Sequence, residues 1–233
     1  MTVADARGRK WDAAAGIGFA VFAFAGFLLP GAPPKAEDSA AKIATFFGDH
    51  RKEILIANFL IGLAGVMFLW FLGALRSYLR ASEGGDGRLS AAAFGGGVAG
   101  IALLMVGAGV LNAVAFDLAK DSGSSADVIR AVFDASGAIF AMSGFAFAAF
   151  FGAASCSGAR SGALPPWAYW TGTVVAVLQL VAGVSLFATS GAFASGGAIS
   201  GLLIPALGII WVLAVSIVLM TRDGVPPVAR TEP

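Results

Sequence analysis

The chain has 233 residues, of which 58% are hydrophobic and only 12% are charged. A soluble domain usually carries about 25% charged residues, so these few charges cannot coat a water-exposed globule of this size. The formal net charge of +1 excludes the basic surface by which proteins bind nucleic acid. One cysteine, Cys156, excludes an internal disulfide, and one histidine, His50, excludes a multi-histidine metal or haem site. We therefore expect no metal and no cofactor.

Six apolar stretches are long enough to cross a bilayer. A hydrocarbon core of about 30 Å needs roughly 20 residues of helix. The length of the runs and their lack of period-two alternation favour helices over strands. The predicted fold is an all-α, polytopic transmembrane helical bundle over residues 13–220, flanked by an N-terminal segment, 1–12, and a tail, 221–233. Its predicted spans are residues 13–29, 54–79, 91–118, 128–151, 167–187 and 198–220.

The first of these stretches has a second interpretation. Arg7, Arg9 and Lys10 ahead of an apolar run also describe a secretory signal peptide, with cleavage near residues 31–34. Cleavage would leave five spans and an N-terminus outside the cell. The length of the run and the Pro33-Pro34 pair that follows it favour a retained span.

The basic residues predict the orientation of the bundle. Nine lysines and arginines lie on the side of the N-terminus and six lie on the opposite side. Because basic loops stay in the cytoplasm, we expect a multi-pass protein of the plasma (inner) membrane with both termini cytoplasmic.

The first outer connection, residues 31–53, is the longest. A short interfacial helix is predicted within it, capped by Asp38 or Ser39 and ended or bent at Gly48. Its apolar face would comprise Ile43, Phe46 and Phe47. The segment has two interpretations. It is either a functional element, acting as a lid or as a docking site for a partner, or a plain connector that lies on the membrane surface.

Small residues at four-residue spacing mark places where helices can approach closely. The pairs are Gly96 and Gly100, then Gly144, Ala148 and Gly152, then Gly197 and Gly201. Packing within one bundle and oligomerisation explain them equally well. Pro205 lies inside the last span and is expected to kink it.

Polar residues within the spans gather toward the outer side. Asn58, Asn112, Asp117 and Asp134 all fall in the outer third of the predicted spans, with His50 just above them. Buried ionisable groups are costly and often functional, so a polar cavity open to the outside is one hypothesis. Asp134 is then the first candidate for a ligand or proton site and Asp117 the second; no catalytic residue is assigned.

The structural alternative for the same residues is simpler. Arg130 and Asp134 are four residues apart and can pair along one helix face. Asn58 and Asn112 can form interhelical hydrogen bonds. Asp117 can bind Lys120 and water at the interface.

The layout resembles a known type of protein. A basic N-terminus, a first span, an outer loop with a short helix followed by His50-Arg51, and five further spans are similar to the uncharacterised small six-helix integral membrane proteins of high-GC bacteria. The resemblance rests on layout and composition, and it implies no activity.

Three functions remain open. The first is a small transporter or a subunit of a membrane assembly, with a polar cavity open to the outer face. The second is a sensor or accessory protein acting through residues 31–53. An intramembrane enzyme ranks last, since Asp117 and Asp134 on different spans are the only acidic pair at depth. The expected partners are the lipid bilayer and a membrane protein or a second copy of the chain, and not nucleic acid.

Overall fold

The computed structural model describes the backbone of residues 3–118 and 125–221 and the side chains of residues 14–116 and 125–221. Within these ranges the chain is helical and has no strand. Its α-helices are α1 (Val3–Leu28), α2 (Ala40–Asp49), α3 (Arg51–Glu83), α4 (Arg88–Leu118), α5 (Ala126–Ser161), α6 (Pro166–Ala182) and α7 (Ile204–Thr221). A 3₁₀ turn, Gly183–Leu186, continues α6, and a π-helical turn, Ala198–Leu203, leads into α7.

Five helical stretches among the described residues are long and apolar enough to cross a membrane. They are Arg51–Glu83, Arg88–Phe116, Ala126–Ser161, Pro166–Leu186 and Ala198–Thr221. The apolar part of α1 that is described, Ala14–Leu28, is shorter, at about 22 Å of helix. The predicted all-helical bundle is confirmed at this level, and a count of six depends on α1.

The helix α5 extends ten residues beyond the predicted end of its span, to Ser161. It ends there because Gly162 adopts the left-handed conformation that commonly terminates helices, with φ of +66°. The added turns contain three serines and Arg160, so in the sequence they resemble a polar connection. Ala154, Ser155 and Ser157 are nevertheless buried, so this end of α5 belongs to the core.

Aromatic side chains fill the centre of the bundle. Phe68 of α3 meets Phe150 of α5 edge to face, with ring centroids 5.5 Å apart. Phe150 and Phe151 both pack edge-on against Trp211 of α7, at 5.8 and 5.2 Å. The indole N–H of Trp211 donates to the Ala168 carbonyl of α6 at 2.8 Å, so its polar group is satisfied inside the bundle. This cluster ties α3, α5, α6 and α7 together.

Two of the three predicted small-residue motifs hold helices together inside the bundle. At Gly96 an added Cβ would lie 2.7 Å from the Phe150 backbone nitrogen and 2.8 Å from the Ala146 carbonyl oxygen. Gly144 similarly lets α5 approach the Gln179 carbonyl of α6. Gly197 instead faces the backbone of residues 191–192, so the third pair does not join two helices.

The helices alternate in direction, and this creates two distinct faces. One face carries residues 31–50, which include α2, and the connection between α6 and α7, residues 187–197. We call these two segments together the cap. The opposite face carries the tight turn at Gly84–Gly87, where three glycines have positive φ. There the Tyr78 hydroxyl donates to the Ala163 carbonyl at 2.9 Å, and the Glu83 carboxylate accepts from the backbone N–H groups of Leu89 and Ser90 at the start of α4.

Pro205 lies near the start of α7, directly after the π-helical turn. Proline has no N–H and its ring displaces the carbonyl four residues earlier, which an ideal α-helix cannot accommodate. The wider π turn at Ala198–Leu203 takes up this mismatch. The sequence predicted a kink at Pro205, and the structure has a change of helix type directly before this residue.

The close approach at Gly96 yields a stability prediction. We expect Gly96→Ala to lower stability by about 1–2 kcal/mol, because the Cβ would collide with backbone that cannot move aside, despite the higher helix propensity of alanine. The control is Gly95→Ala, where nothing lies within 4 Å of the added Cβ. Thermal unfolding of both variants in detergent tests this, and equal unfolding temperatures would contradict it.

Candidate functional site

The short helix α2 packs on the ends of three longer helices. Its N-cap is Ser39, whose hydroxyl accepts from the Lys42 N–H at 3.3 Å, as one of the two predicted caps. Ile43 and Phe47 are fully buried. They pack against residues of α3, α4 and α5, namely Ile54, Val114, Ala115, Ile129 and Phe133. The helix ends at Asp49, one residue after Gly48, where the sequence predicted an end or a bend.

Arg130 of α5 joins the cap to the bundle. Its Nε donates to Asp134 Oδ2 at 2.8 Å, forming the ion pair that the four-residue spacing indicated. Its two terminal nitrogens donate to the carbonyl oxygens of Asp38 at 2.6 Å and Ala36 at 2.5 Å. The planar guanidinium fork suits such a multidentate role, and a single lysine ammonium would not. Asp134 is half exposed, so the ion pair itself is a surface feature.

The segment ahead of α2 is also fixed by the connection between α6 and α7. The Ala36 N–H donates to the Ser195 carbonyl at 3.0 Å. The Glu37 carboxylate accepts from the Gly191 N–H at 3.0 Å. Gly196, with φ of +73°, lies so close to the Pro34 carbonyl that no Cβ would fit there. The cap is therefore a built unit, assembled from two connections far apart in sequence.

Asp38 closes the local structure in front of α2. Its carboxylate accepts from Lys42 Nζ at 2.6 Å and from the Lys35 N–H at 2.8 Å. The hydrogen bond from Lys42, followed by that from the Lys35 backbone, holds the pKa of Asp38 below its ordinary value. A lowered pKa means that this contribution to the cap is present above about pH 4 and is lost as the pH falls further.

His50 links α2 to α3. It caps the C-terminus of α2, and its backbone N–H donates to the Phe46 carbonyl. Its ring stacks on the Phe46 ring at 4.6 Å, and Nδ1 lies 3.2 Å from the same carbonyl oxygen.

Asn58 of α3 and Asn112 of α4 meet each other. The Asn58 amide nitrogen donates to Asn112 Oδ1 at 3.2 Å. Both side chains are half buried, and they line a groove of about 500 Å³ that runs along the α3–α4 boundary. Arg130, Asp134 and His50 do not line this groove.

The structure thus gathers the sequence candidates into two separate pairs. Arg130 and Asp134 bind each other, and Arg130 also binds the cap. Asn58 and Asn112 bind each other in the α3–α4 groove. Asp117 lies in the last turn of α4, but its side chain, and Lys120 with which it could pair, lie outside the described residues.

The sequence does not mark the backbone carbonyls that bind Arg130. The carbonyls of Ala36 and Asp38 are backbone acceptors, which every residue carries, so no residue type marks them. The contacts of Ala36 and Glu37 with residues 191–195 join parts of the chain that only the tertiary fold brings together. The charged residues Lys35, Glu37 and Asp38, which follow an apolar stretch, are the feature of the sequence that marks this segment as a place for polar contacts.

Comparisons with known proteins identify no relative. The chain matches no family model, and neither a curated protein nor a solved structure is detectably similar to it. Among the described residues, no group of three histidine, cysteine, aspartate or glutamate side chains is placed to hold a metal ion.

The role of Arg130 can be measured by hydrogen exchange in α2. We expect Arg130→Lys to speed amide exchange over Ala40–Asp49 by about tenfold. The reason is the loss of the two hydrogen bonds that the partly exposed guanidinium donates to the carbonyls of Ala36 and Asp38. Mass spectrometry of peptides from detergent-solubilised protein gives this rate.

The matched control is Asp134→Asn, which removes the exposed ion pair and leaves the two carbonyls within reach of Arg130. An exposed pair contributes about 0–1 kcal/mol, so exchange in α2 should change by less than about fivefold. If Asp134→Asn loosened α2 as much as Arg130→Lys, the carbonyl contacts would not be what fastens the cap.

Proposed function

We propose that the chain is a six-span protein of a bacterial plasma membrane in which α1 is the first span and the cap lies outside. The packing of α1 supports this. Gly16 lies against Phe71 and Ser216, while Gly26 lies against the Ala57 carbonyl, so α1 runs along α3 in the opposite direction. Ala20 and Ala23 are buried in the same seam. A bundle without α1 would expose this side of α3 and α7 to lipid.

The orientation follows from the basic residues. The side opposite the cap holds the larger share of lysine and arginine, which retains loops in the cytoplasm. Both termini then lie inside, as does the Gly84–Gly87 turn.

Retention of α1 and the position of the cap can be tested together. We expect the intact mass of C-terminally tagged protein from membranes to include residues 2–30. In a Cys156→Ala background, Thr45→Cys on the exposed side of α2 should react with an impermeant maleimide in intact cells, and Gly85→Cys only after lysis. A mass lacking about 30 residues, or the reverse labelling pattern, would refute the proposed topology.

For its role, we propose a non-enzymatic accessory protein or subunit that presents its prefolded cap to a membrane-protein partner. The observation that carries this is the fastening of the cap by Arg130, whose guanidinium contacts Ala36, Asp38 and Asp134 at once. A mobile lid would not need such a connection. A plain connector would not need a helix with a buried apolar side, preceded by a segment that is bound to a second loop.

The exposed side of the cap has the chemistry of a recognition surface for a polar partner. Exposed charged side chains of both signs lie there, namely Lys35, Glu37, Lys42 and Asp49. Thr45 lies between them on the exposed side of α2. We infer that the partner contributes a polar extramembrane loop, since the apolar side of α2 is already occupied by the bundle.

The alternative function is transport, with the ion pair of Arg130 and Asp134 as the substrate site. A substrate anion could reach Arg130 only by displacing Asp134 or the cap carbonyls. In that case Asp134→Asn would abolish the function in cells, whereas the accessory role predicts that this variant retains it.

Site-specific photocrosslinking tests the accessory role. We expect a photoreactive amino acid at Thr45, in cells of the native host, to give one discrete membrane-protein adduct. The same group at Gly85, on the opposite face, should give none. Arg130→Lys should weaken the Thr45 adduct severalfold because the cap is loosened, and Asp134→Asn should not. Equal adducts from both faces, or none from Thr45, would contradict a role for the cap.

A further inference from the structure

A groove open to the lipid runs between α3 and α4 on the cap side of the bundle. Its volume is about 500 Å³, within the range of sites that hold small molecules. Apart from two asparagines, its lining is apolar and includes Leu55, Phe59, Ile61, Gly62, Met105, Ala108, Gly109 and Phe116. At Gly62 and Gly109 nothing lies within 4 Å of an added Cβ, so these two positions open the groove. Met105 lies against Gly65 and marks its deep end.

The two carboxamides in the groove have hydrogen-bonding capacity beyond their mutual bond. Each carboxamide has two N–H donors and an oxygen with two lone pairs. The bond from Asn58 to Asn112 uses one donor of the first and one lone pair of the second. A hydrocarbon environment offers no water to satisfy the other N–H groups, so a ligand with an acceptor would be favoured here.

The depth of the pair identifies the kind of acceptor. Arg51, Lys52 and Glu53 begin α3 and belong at the level of the lipid headgroups. Asn58 follows Arg51 by seven residues, which is about 10 Å along the helix. The interfacial layer of a leaflet is about 5–8 Å thick, so the amides lie at the upper edge of the hydrocarbon. Ester carbonyls of glycerolipids lie close to this depth.

The length of the groove matches a lipid chain. The groove extends along α4 from Met105 to Phe116, which is about 16 Å. The hydrocarbon of one leaflet is about 15 Å thick, so one acyl chain spans this length.

We propose that this groove is a binding site for one acyl chain of a membrane glycerolipid, whose ester carbonyl accepts a hydrogen bond from the Asn58–Asn112 pair. The chain would then run inward past Gly62 and Gly109 toward Met105. The exposed rings of Phe59 and Phe116 border the site. This assignment is independent of the role of the cap.

Photolabelling tests the position of the chain. The full-length protein is reconstituted in phosphatidylcholine vesicles that contain a trace of phosphatidylcholine with a terminal diazirine on its palmitoyl chain. We expect label to concentrate in residues 55–62 and 105–116. Gly109→Leu should lower this labelling at least about fivefold, because the leucine side chain fills the groove. The matched control is Gly95→Leu on the same helix, also with nothing within 4 Å, which should leave it unchanged.

Native mass spectrometry tests the role of the amides. We expect the wild type to retain ester-linked phosphatidylcholine about fivefold better than the diether analogue, which lacks the carbonyl acceptor, as one hydrogen bond would give. Asn58→Leu with Asn112→Leu should remove this preference while the chain still binds.

Three outcomes would overturn the assignment. Label spread evenly over the lipid-facing helices would show that the groove holds no chain. Equal retention of ester and ether lipid by the wild type would exclude the carbonyl contact. A dimer that Gly109→Leu dissociates would assign the groove to a second copy of the chain.

Discussion

The backbone contact between α4 and α5 at Gly96 is the constraint on which the rest of this molecule depends. Helices surrounded by lipid gain little from burying apolar surface, so they are held by close packing. Gly96 lets α4 lie directly on the backbone of α5 near Phe150, which fixes the register of these two long helices. Because α5 carries Arg130 and α4 carries Asn112, this register also decides where both polar pairs lie.

The two polar pairs, Arg130 with Asp134 and Asn58 with Asn112, have different surroundings. Arg130 projects at the cap end of α5, where it meets the carbonyls of the loop before α2. Asn112 projects from the other side of α4, toward α3, and meets Asn58 in the α3–α4 groove. An apolar cluster around Phe47 and Phe133 occupies the space where α2 rests on the helix ends. One pair therefore holds the cap, and the other lies in the groove.

Much of the fold could be predicted from the sequence because its physical signals are local. Long apolar runs mark the helices, Ser39 marks a helix start by its hydroxyl, and the spacing of Arg130 and Asp134 indicates their pairing. The end of α5 could not be predicted in this way, since its buried serines resemble a polar connection. The partition of the polar residues into two pairs depends on the rotation of α4 and α5 about their axes, and depth alone does not fix rotation.

The long-range hydrogen bonds of the cap have a consequence for how the protein is made. Glu37 and its partner Gly191 are 154 positions apart, and Arg130 lies 94 positions after Ala36. During synthesis the first connection therefore emerges long before any residue that can hold it. It stays without these partners until α5 has been inserted, and its last contacts form only when the connection between α6 and α7 has been synthesised and lies on the same side as the first connection. A complete cap therefore requires that nearly every helix has been inserted. In a chain whose insertion stalls, the first connection lacks its partners and is accessible to quality-control proteases.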